Sequence, residues 1–244
     1  MKTKVSVVKA RHYNFHTGET FWRDTSIVYP DDILLSLWNQ GETVWKQCLT
    51  GSASPSEFWG RVLESSPWIQ HHPALHRDKE KLIPISLYGD EVQAFKNTEA
   101  GVVSVLGFSS DLSFNNHPLM RYFLISVYAE QTACEETFHD ILKAITPRLQ
   151  RLVSEDADYP WSKAGWGFAY SSTQGDLKYI VEKLGFNNYR KNDFCARCPC
   201  QKQNDNIGLT LGNFRTDAEH MRTRWVHKDY IEWTNPEDRN AVCA

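Results

Sequence analysis

KLIPISLYGDEV, residues 81–92, decides how the rest of the chain is read. It alternates apolar and small side chains for seven residues, then closes on Gly89, Asp90 and Glu91. Alternation over that length predicts a strand. A strand that finishes on a glycine and two carboxylates needs a reason. A turn is one, because Gly and Asp both favour turns. A metal site is the other, and the flanking sequence has to choose between them.

Working outward, GVVSVLGF (101–108) and RYFLISVY (121–128) read as two more strands, separated by polar, turn-rich connections. That spacing predicts an antiparallel meander. From Glu135 to about Val153 the period changes. Phe138, Ile141, Leu142, Ile145, Leu149, Leu152 and Val153 recur at helical spacing. Thr146-Pro147 predicts a kink there, or two helices. AGWGFAYSS (164–172) reads as a fourth strand and runs on to Gly175 and Asp176. DLKYIVEKLGF then reads as a helix, with Asp176 placed to cap it and Gly185 to stop it.

Three antiparallel strands, a helical crossover and a fourth strand restrict the topology of this α/β chain. A right-handed crossover returns the fourth strand parallel to the first. The carboxyl ends of the two then meet at one crevice. Asp90 and Asp176 would project into it together. Carboxylates brought that close repel unless a cation lies between them. Magnesium suits the position, because it takes one or two carboxylates and keeps several waters; manganese is the alternative ion. Taken singly, each Gly-Asp pair reads as a turn, with Asp176 a helix cap; only the two together, at matching strand ends, point to an ion. Glu91, pointing away by alternation, is at best an auxiliary ligand.

Residues 1–76 read as a helical segment with aromatic loops. Pro30, Asp31 and Asp32 open one helix, and Ile33, Leu34, Leu37 and Trp38 fall on one face. Phe58, Trp59, Val62 and Leu63 make a second apolar stripe behind Ser54 or Ser56. His71, His72 and His76 cluster, but Pro73 argues for a loop. The expected organisation is therefore 1–76 helical, 77–190 the mixed-sheet core, and 191–244 a separate extension.

That extension carries NDFCARCPC, with Cys195, Cys198 and Cys200. A C-x-x-C pair bites a tetrahedral zinc ion from one turn, and Cys200 and His220 are candidates to complete the set. His227 and Cys243 are also within the segment. Between Phe186 and Lys228 eight basic residues face four acidic ones, in a chain of net charge −3. Arg190, Lys191, Arg197, Lys202, Arg222 and Arg224 are the candidate phosphate contacts, with Tyr189, Phe194, Phe214 and Trp225 interleaved for stacking.

The 244 residues, 41% hydrophobic and 23% charged, fit a soluble globular protein that needs no disulfide scaffold. No apolar run reaches the length of a bilayer span, and the N-terminus lacks the apolar centre of a signal peptide. The expectation is a nuclear or cytoplasmic protein, not a secreted one, with DNA as partner, self-association a further expectation, and no membrane. There is no G-x-S-x-G elbow and no G-x-x-x-x-G-K-[ST] loop. Cys48 and Cys134 read as structural thiols on apolar helix faces or caps.

HPALHRDKEKLIPISLYGDEVQ, WGFAYSSTQGDLKYIVEKLGF and CARCPC, in that order, resemble the transposase-like proteins of eukaryotic mobile elements of the KDZ and Plavaka type. The resemblance spans roughly residues 30–225. It implies a ribonuclease H-like fold and a DDE-type, metal-dependent polynucleotidyl transferase. Asp90 would be its first acid and Asp176 its second, with Cys195 and Cys198 in the knuckle. Such a site needs a third carboxylate on a later helix. After Cys200 no strand-helix unit is legible, and Glu219, Glu237 and Asp238 sit in no recognisable context. The expectation is a truncated or degenerate copy, its catalysis in question. The competing reading is a non-catalytic, zinc-stabilised module that binds nucleic acid or protein.

Overall fold

The computed structural model describes residues 3–65, 72–94, 101–113, 121–156 and 158–176, together with Tyr179 and Lys183. The chain divides into two compact units, Met1–Asp176 and Leu177–Ala244. In the first lie strands β1 (Ser6–Asn14), β2 (Glu19–Ile27), β3 (Leu82–Gln93), β4 (Val102–Ser110), β5 (Tyr122–Ala129) and β6 (Gly167–Gly175). Helices α1 (Pro30–Trp38), α2 (Glu42–Leu49), α3 (Pro55–Ser65), α4 (Glu135–Val153) and α5 (Pro160–Lys163) accompany them. This is a mixed α/β fold. Its six-stranded sheet has the order β1-β2-β5-β4-β3-β6. β3 and β6 run parallel, and every other neighbouring pair is antiparallel.

The apolar run of β3 follows from its place. Leu82 and Ile83 point to opposite faces, and both are fully buried. Leu82 packs with Trp59 of α3 and with Ala169. Ile83 is paired with Phe168, whose ring meets Trp45 of α2 at 5.9 Å and Trp161 of α5 at 6.1 Å. A strand buried on both faces reads as continuous apolar sequence. Trp59 also donates its indole N–H to the Leu82 carbonyl at 2.8 Å. Pro84 is tolerated in this central strand because pairing with β4 begins only at Ile85. The Pro84 carbonyl turns to that side and accepts from the Asp111 amide at 3.1 Å. The missing N–H therefore faces a place where β4 has already ended.

α4 spans the expected residues and begins in a capping box, in which Cys134 and Thr137 satisfy each other's backbone N–H groups. Cys134 is thus a cap, and Cys48 is buried in α2, where burial pushes its thiol pKa up. α4 is not split at Pro147. The proline lies on the exposed side of the helix, where water can take the carbonyl left without its N–H partner. The Thr146 hydroxyl, just before the proline, donates to the Leu142 carbonyl at 2.8 Å.

Residues 6–27 correct the expectation of a helical segment over 1–76. They form the β1–β2 hairpin, paired from Ser6↔Ile27 to Asn14↔Glu19. Gly18, at φ +73°, turns the chain, and its amide bonds the Asn14 carbonyl at 2.8 Å. The outer edge of β1 is covered by the start of α4. The Asp140 carboxylate takes the Arg11 amide and both arms of its guanidinium, each at 2.9 Å. Helices begin only at Pro30. There the expected Asp31 anchors α1 to α4 and α5, accepting from Arg148 at 2.7 Å and from the Tyr159 hydroxyl at 3.0 Å. Burial, reinforced by the Asp31 charge, holds the Tyr159 pKa up at about 12.

Candidate functional site

The parallel register of β3 and β6 ends on Gly89↔Gly175. Asp90 and Asp176 are the next residues on the two strands, and both are exposed. Two acids separated by 85 residues of sequence are thus brought to the same end of neighbouring parallel strands. β6 stops at Gly175, whereas β3 continues to Gln93 against β4. Asp90 therefore sits within a strand, and its Oδ1 accepts from the Glu91 amide at 2.8 Å.

Registers on either side fix which face each acid occupies. Asp90 is opposite Val105, and Val105 is opposite Val127. Glu91 is opposite Ser104, which is opposite Tyr128. Glu91 therefore points away from Asp90, as alternation requires. It shares the opposite face with Glu130, which accepts a hydrogen bond from Ser104. Burial first, and then the Glu130 and Glu91 charges, raise the Tyr128 pKa. Beside Asp90, Tyr88 lies over Gly107 so closely that a Cβ there would overlap its ring. The edge of Tyr88 meets Tyr122 at 5.0 Å.

A second polar cluster was not legible in the sequence. The β3–β6 register slips between Ile85 and Ser86, leaving Ser171 as the bulged residue. Ser171 donates to one oxygen of Asp111, at the end of β4, and Ser86 to the other at 2.7 Å. Gln174 reaches the same carboxylate at 3.3 Å. Asp111 and Leu112 also line a cleft of about 280 Å³ with Ser54, Glu57, Phe58 and Arg61 from the start of α3. The only hint was a run of hydroxyls in each strand, FSSD and YSSTQG. Ser86 and Asp90 share a face but stand four residues apart, about 13 Å along a strand. Metal–oxygen bonds are about 2 Å. Asp111 is therefore no third ligand to an ion held by Asp90.

Two exposed carboxylates, one within β3 and one just past the end of β6, are of a kind magnesium takes, since it needs few protein ligands. Among the described residues no group of three or more His, Cys, Asp or Glu side chains forms a metal cluster. The zinc candidates Cys195, Cys198, Cys200 and His220 lie outside the described residues, as do Arg190, Lys191, Arg197, Lys202, Arg222 and Arg224. His72 and His76 border a single 3-10 turn at Pro73–His76, and burial lowers the His72 pKa. No described helix is long and apolar enough to cross a membrane. No protein-family model matches the chain, and no curated protein matches it.

Proposed function

We propose that the Met1–Asp176 unit is a ribonuclease H-like, nucleic-acid-processing domain of the transposase class, with Asp90 and Asp176 as its divalent-ion pair. The observation that carries the reading is the Gly89↔Gly175 register, since each acid is the residue that follows its paired glycine. The strand order β5-β4-β3-β6 supports it, with α4 in the crossover to a parallel β6. When bound, a magnesium ion supplies charge for phosphate oxygens and lowers the pKa of an attacking water or 3′-hydroxyl.

The residues present contribute three things. Asp90 and Asp176 supply two carboxylates from two strands of one sheet. The backbone amide of Glu91 fixes one oxygen of Asp90. Both carboxylates are exposed, which leaves them accessible to a phosphodiester backbone. Asp90 and Asp176 thus serve to bind the ion and, through it, phosphate.

The test is manganese binding by calorimetry on the full chain. The wild type should bind, and Asp90→Asn with Asp176→Asn together should weaken binding by more than about tenfold, since loss of even an outer-shell partner costs that much. Equal affinity in the two proteins would overturn the ion pair.

A further inference from the structure

We infer that His12 is a proton-sensitive clip that ties the β1–β2 ribbon to the stretch leading into α4, closed while its ring is neutral and loosened when the ring takes a proton. β1 and β2 pair with each other from Ser6↔Ile27 to Asn14↔Glu19, whereas β2 joins the rest of the sheet only at Ile27↔Ser126. Toward its turn the ribbon is held instead by residues 132–140. His12 forms a bridge with Ala133, and the adjacent Arg11 is gripped by Asp140. These two neighbouring residues fasten β1 by different chemistry.

The His12 ring is buried and engaged at both nitrogens. It is 2% exposed, and the ring of Phe21, its partner across the ribbon, lies 6.2 Å away. Nδ1 is 3.2 Å from the Thr132 carbonyl oxygen, and Nε2 is 3.2 Å from the Thr25 hydroxyl. A carbonyl only accepts, so Nδ1 carries the hydrogen. Nε2 is then the acceptor, and the Thr25 hydroxyl donates to it. One neutral imidazole thereby joins three segments: β1, β2 and the 3-10 turn at Glu130–Thr132.

A proton on Nε2 undoes this arrangement. That nitrogen then donates, and the Thr25 hydroxyl has to turn its hydrogen away, with no second partner among the described residues. The new charge also meets no free acid there. On β2, Arg23 stands two residues from Phe21, on the face His12 occupies, and is itself a cation. Asp140 and Glu136 of α4 are already paired with Arg11. In the turn, Glu130 takes the Ser104 hydroxyl. At the start of α4, Cys134 and Thr137 reach the Arg11 carbonyl. Burial first, and then the Arg23 charge, hold the His12 pKa below its ordinary value.

The sign follows from the neutral form being the one that folds. An imidazole whose pKa is lower in the folded state than in the unfolded chain favours folding fully only above the unfolded value, about 6.5. That hold is lost as pH falls from there toward the folded value. The Arg11–Asp140 pair weakens only in the carboxylate range, near about pH 4. The two fasteners of β1 therefore let go in separate windows. Between about pH 6.5 and 5, His12 is the one of the two that responds.

The experiment is amide hydrogen exchange by mass spectrometry on the full chain at about pH 7.5 and about pH 5.5, with each rate divided by the intrinsic rate at that pH. Ribbon peptides, residues 6–27, should be less protected than those of β3 at both values, which marks their opening as local. Their protection should fall about 3- to 10-fold at the lower pH, tenfold being the ceiling one unit below the ordinary imidazole value. Arg23→Gln should shrink that change, and His12→Gln should abolish it. Titration of the wild-type His12 ring by NMR is a second measure that needs no variant, and it should give a midpoint below about 6.5. Four results overturn the inference: a midpoint at or above that value, equal ribbon protection at the two pH values, ribbon and β3 peptides exchanging together, or the same pH response in His12→Gln. Should that variant fail to fold, the wild-type titration and the Arg23→Gln exchange decide.

Discussion

β3 has hydrogen-bonded neighbours on both sides and apolar packing on both faces, whereas β2 pairs along its length with β1 but meets the main sheet through one residue pair, and its residues from Glu19 to Asp24 are all exposed. The same backbone geometry therefore serves two ends. In β3 the residues are chosen by what surrounds them, and they fix the sheet. In the ribbon, exposed aromatic and charged side chains contribute little to burial and remain available for contact. Trp59 and Trp22 make the contrast testable with one kind of substitution. Trp59 is fully buried and hydrogen-bonded to β3, so Trp59→Ala should lose about 3–5 kcal/mol of stability in urea unfolding. Trp22→Ala should stay within about 0.5 kcal/mol. Similar losses at the two positions would erase the distinction between scaffold and contact surface.

A finer version compares two glycines. At Gly107 an added methyl meets the Tyr88 ring and the Phe123 carbonyl oxygen, inside the sheet. Gly107→Ala should cost about 1–3 kcal/mol, the range for overpacking. Replacing Tyr88 with Ala in that background should bring the methyl less added cost than in the wild type, because one of its two obstacles is gone. At Gly18 there is space, and the constraint is its φ of +73°. Gly18→Ala should cost about 1 kcal/mol, from backbone strain alone, and no neighbour should relieve it. Double-mutant unfolding curves distinguish the two: coupling to Tyr88 is expected for Gly107 and absent for Gly18.

The same contrast explains what could be read before folding. LIPI, GVVSVLGF and RYFLISVY carry enough apolar side chains to mark strands β3, β4 and β5 within two residues at their starts, and β6 was legible at its start within three. Their turn residues and the helical period of 135–153 then imposed the crossover, and with it the adjacency of Asp90 and Asp176. SVVKARHYN and ETFWRDTSI gave no such signal. Val8, Ala10 and His12 face inward, but Val7 and Tyr13 lie exposed on the other side, so the two faces blur. In β2, Phe21 and Trp22 are consecutive and both exposed, against any alternation. Thr17-Gly18 between these runs was the available hairpin cue. The Asp111 cluster was illegible for another reason. A one-residue bulge at Ser171 assembles it, and no spacing rule locates a bulge.

A modest, condition-dependent effect is expected where the ribbon meets the scaffold. Burial alone would push the Asp140 carboxyl up, but the hydrogen bonds and charge of Arg11 outweigh it and leave the pKa below the ordinary value. A carboxyl lowered in the folded state stabilises fully above its unfolded pKa, near about 4. That contribution is lost as pH falls through the folded value. Arg11 is more than one-third exposed, so solvent screens the pair and its worth at neutral pH is about 1 kcal/mol. Asp140→Asn should therefore lower the urea midpoint modestly at pH 7. The gap from wild type should close as the solution is acidified below the ordinary carboxylate range, and shrink with added salt. A gap that ignored both would mean that Asp140 holds β1 by shape and neutral hydrogen bonds. In that case the Arg11 charge would add nothing to the hold on β1.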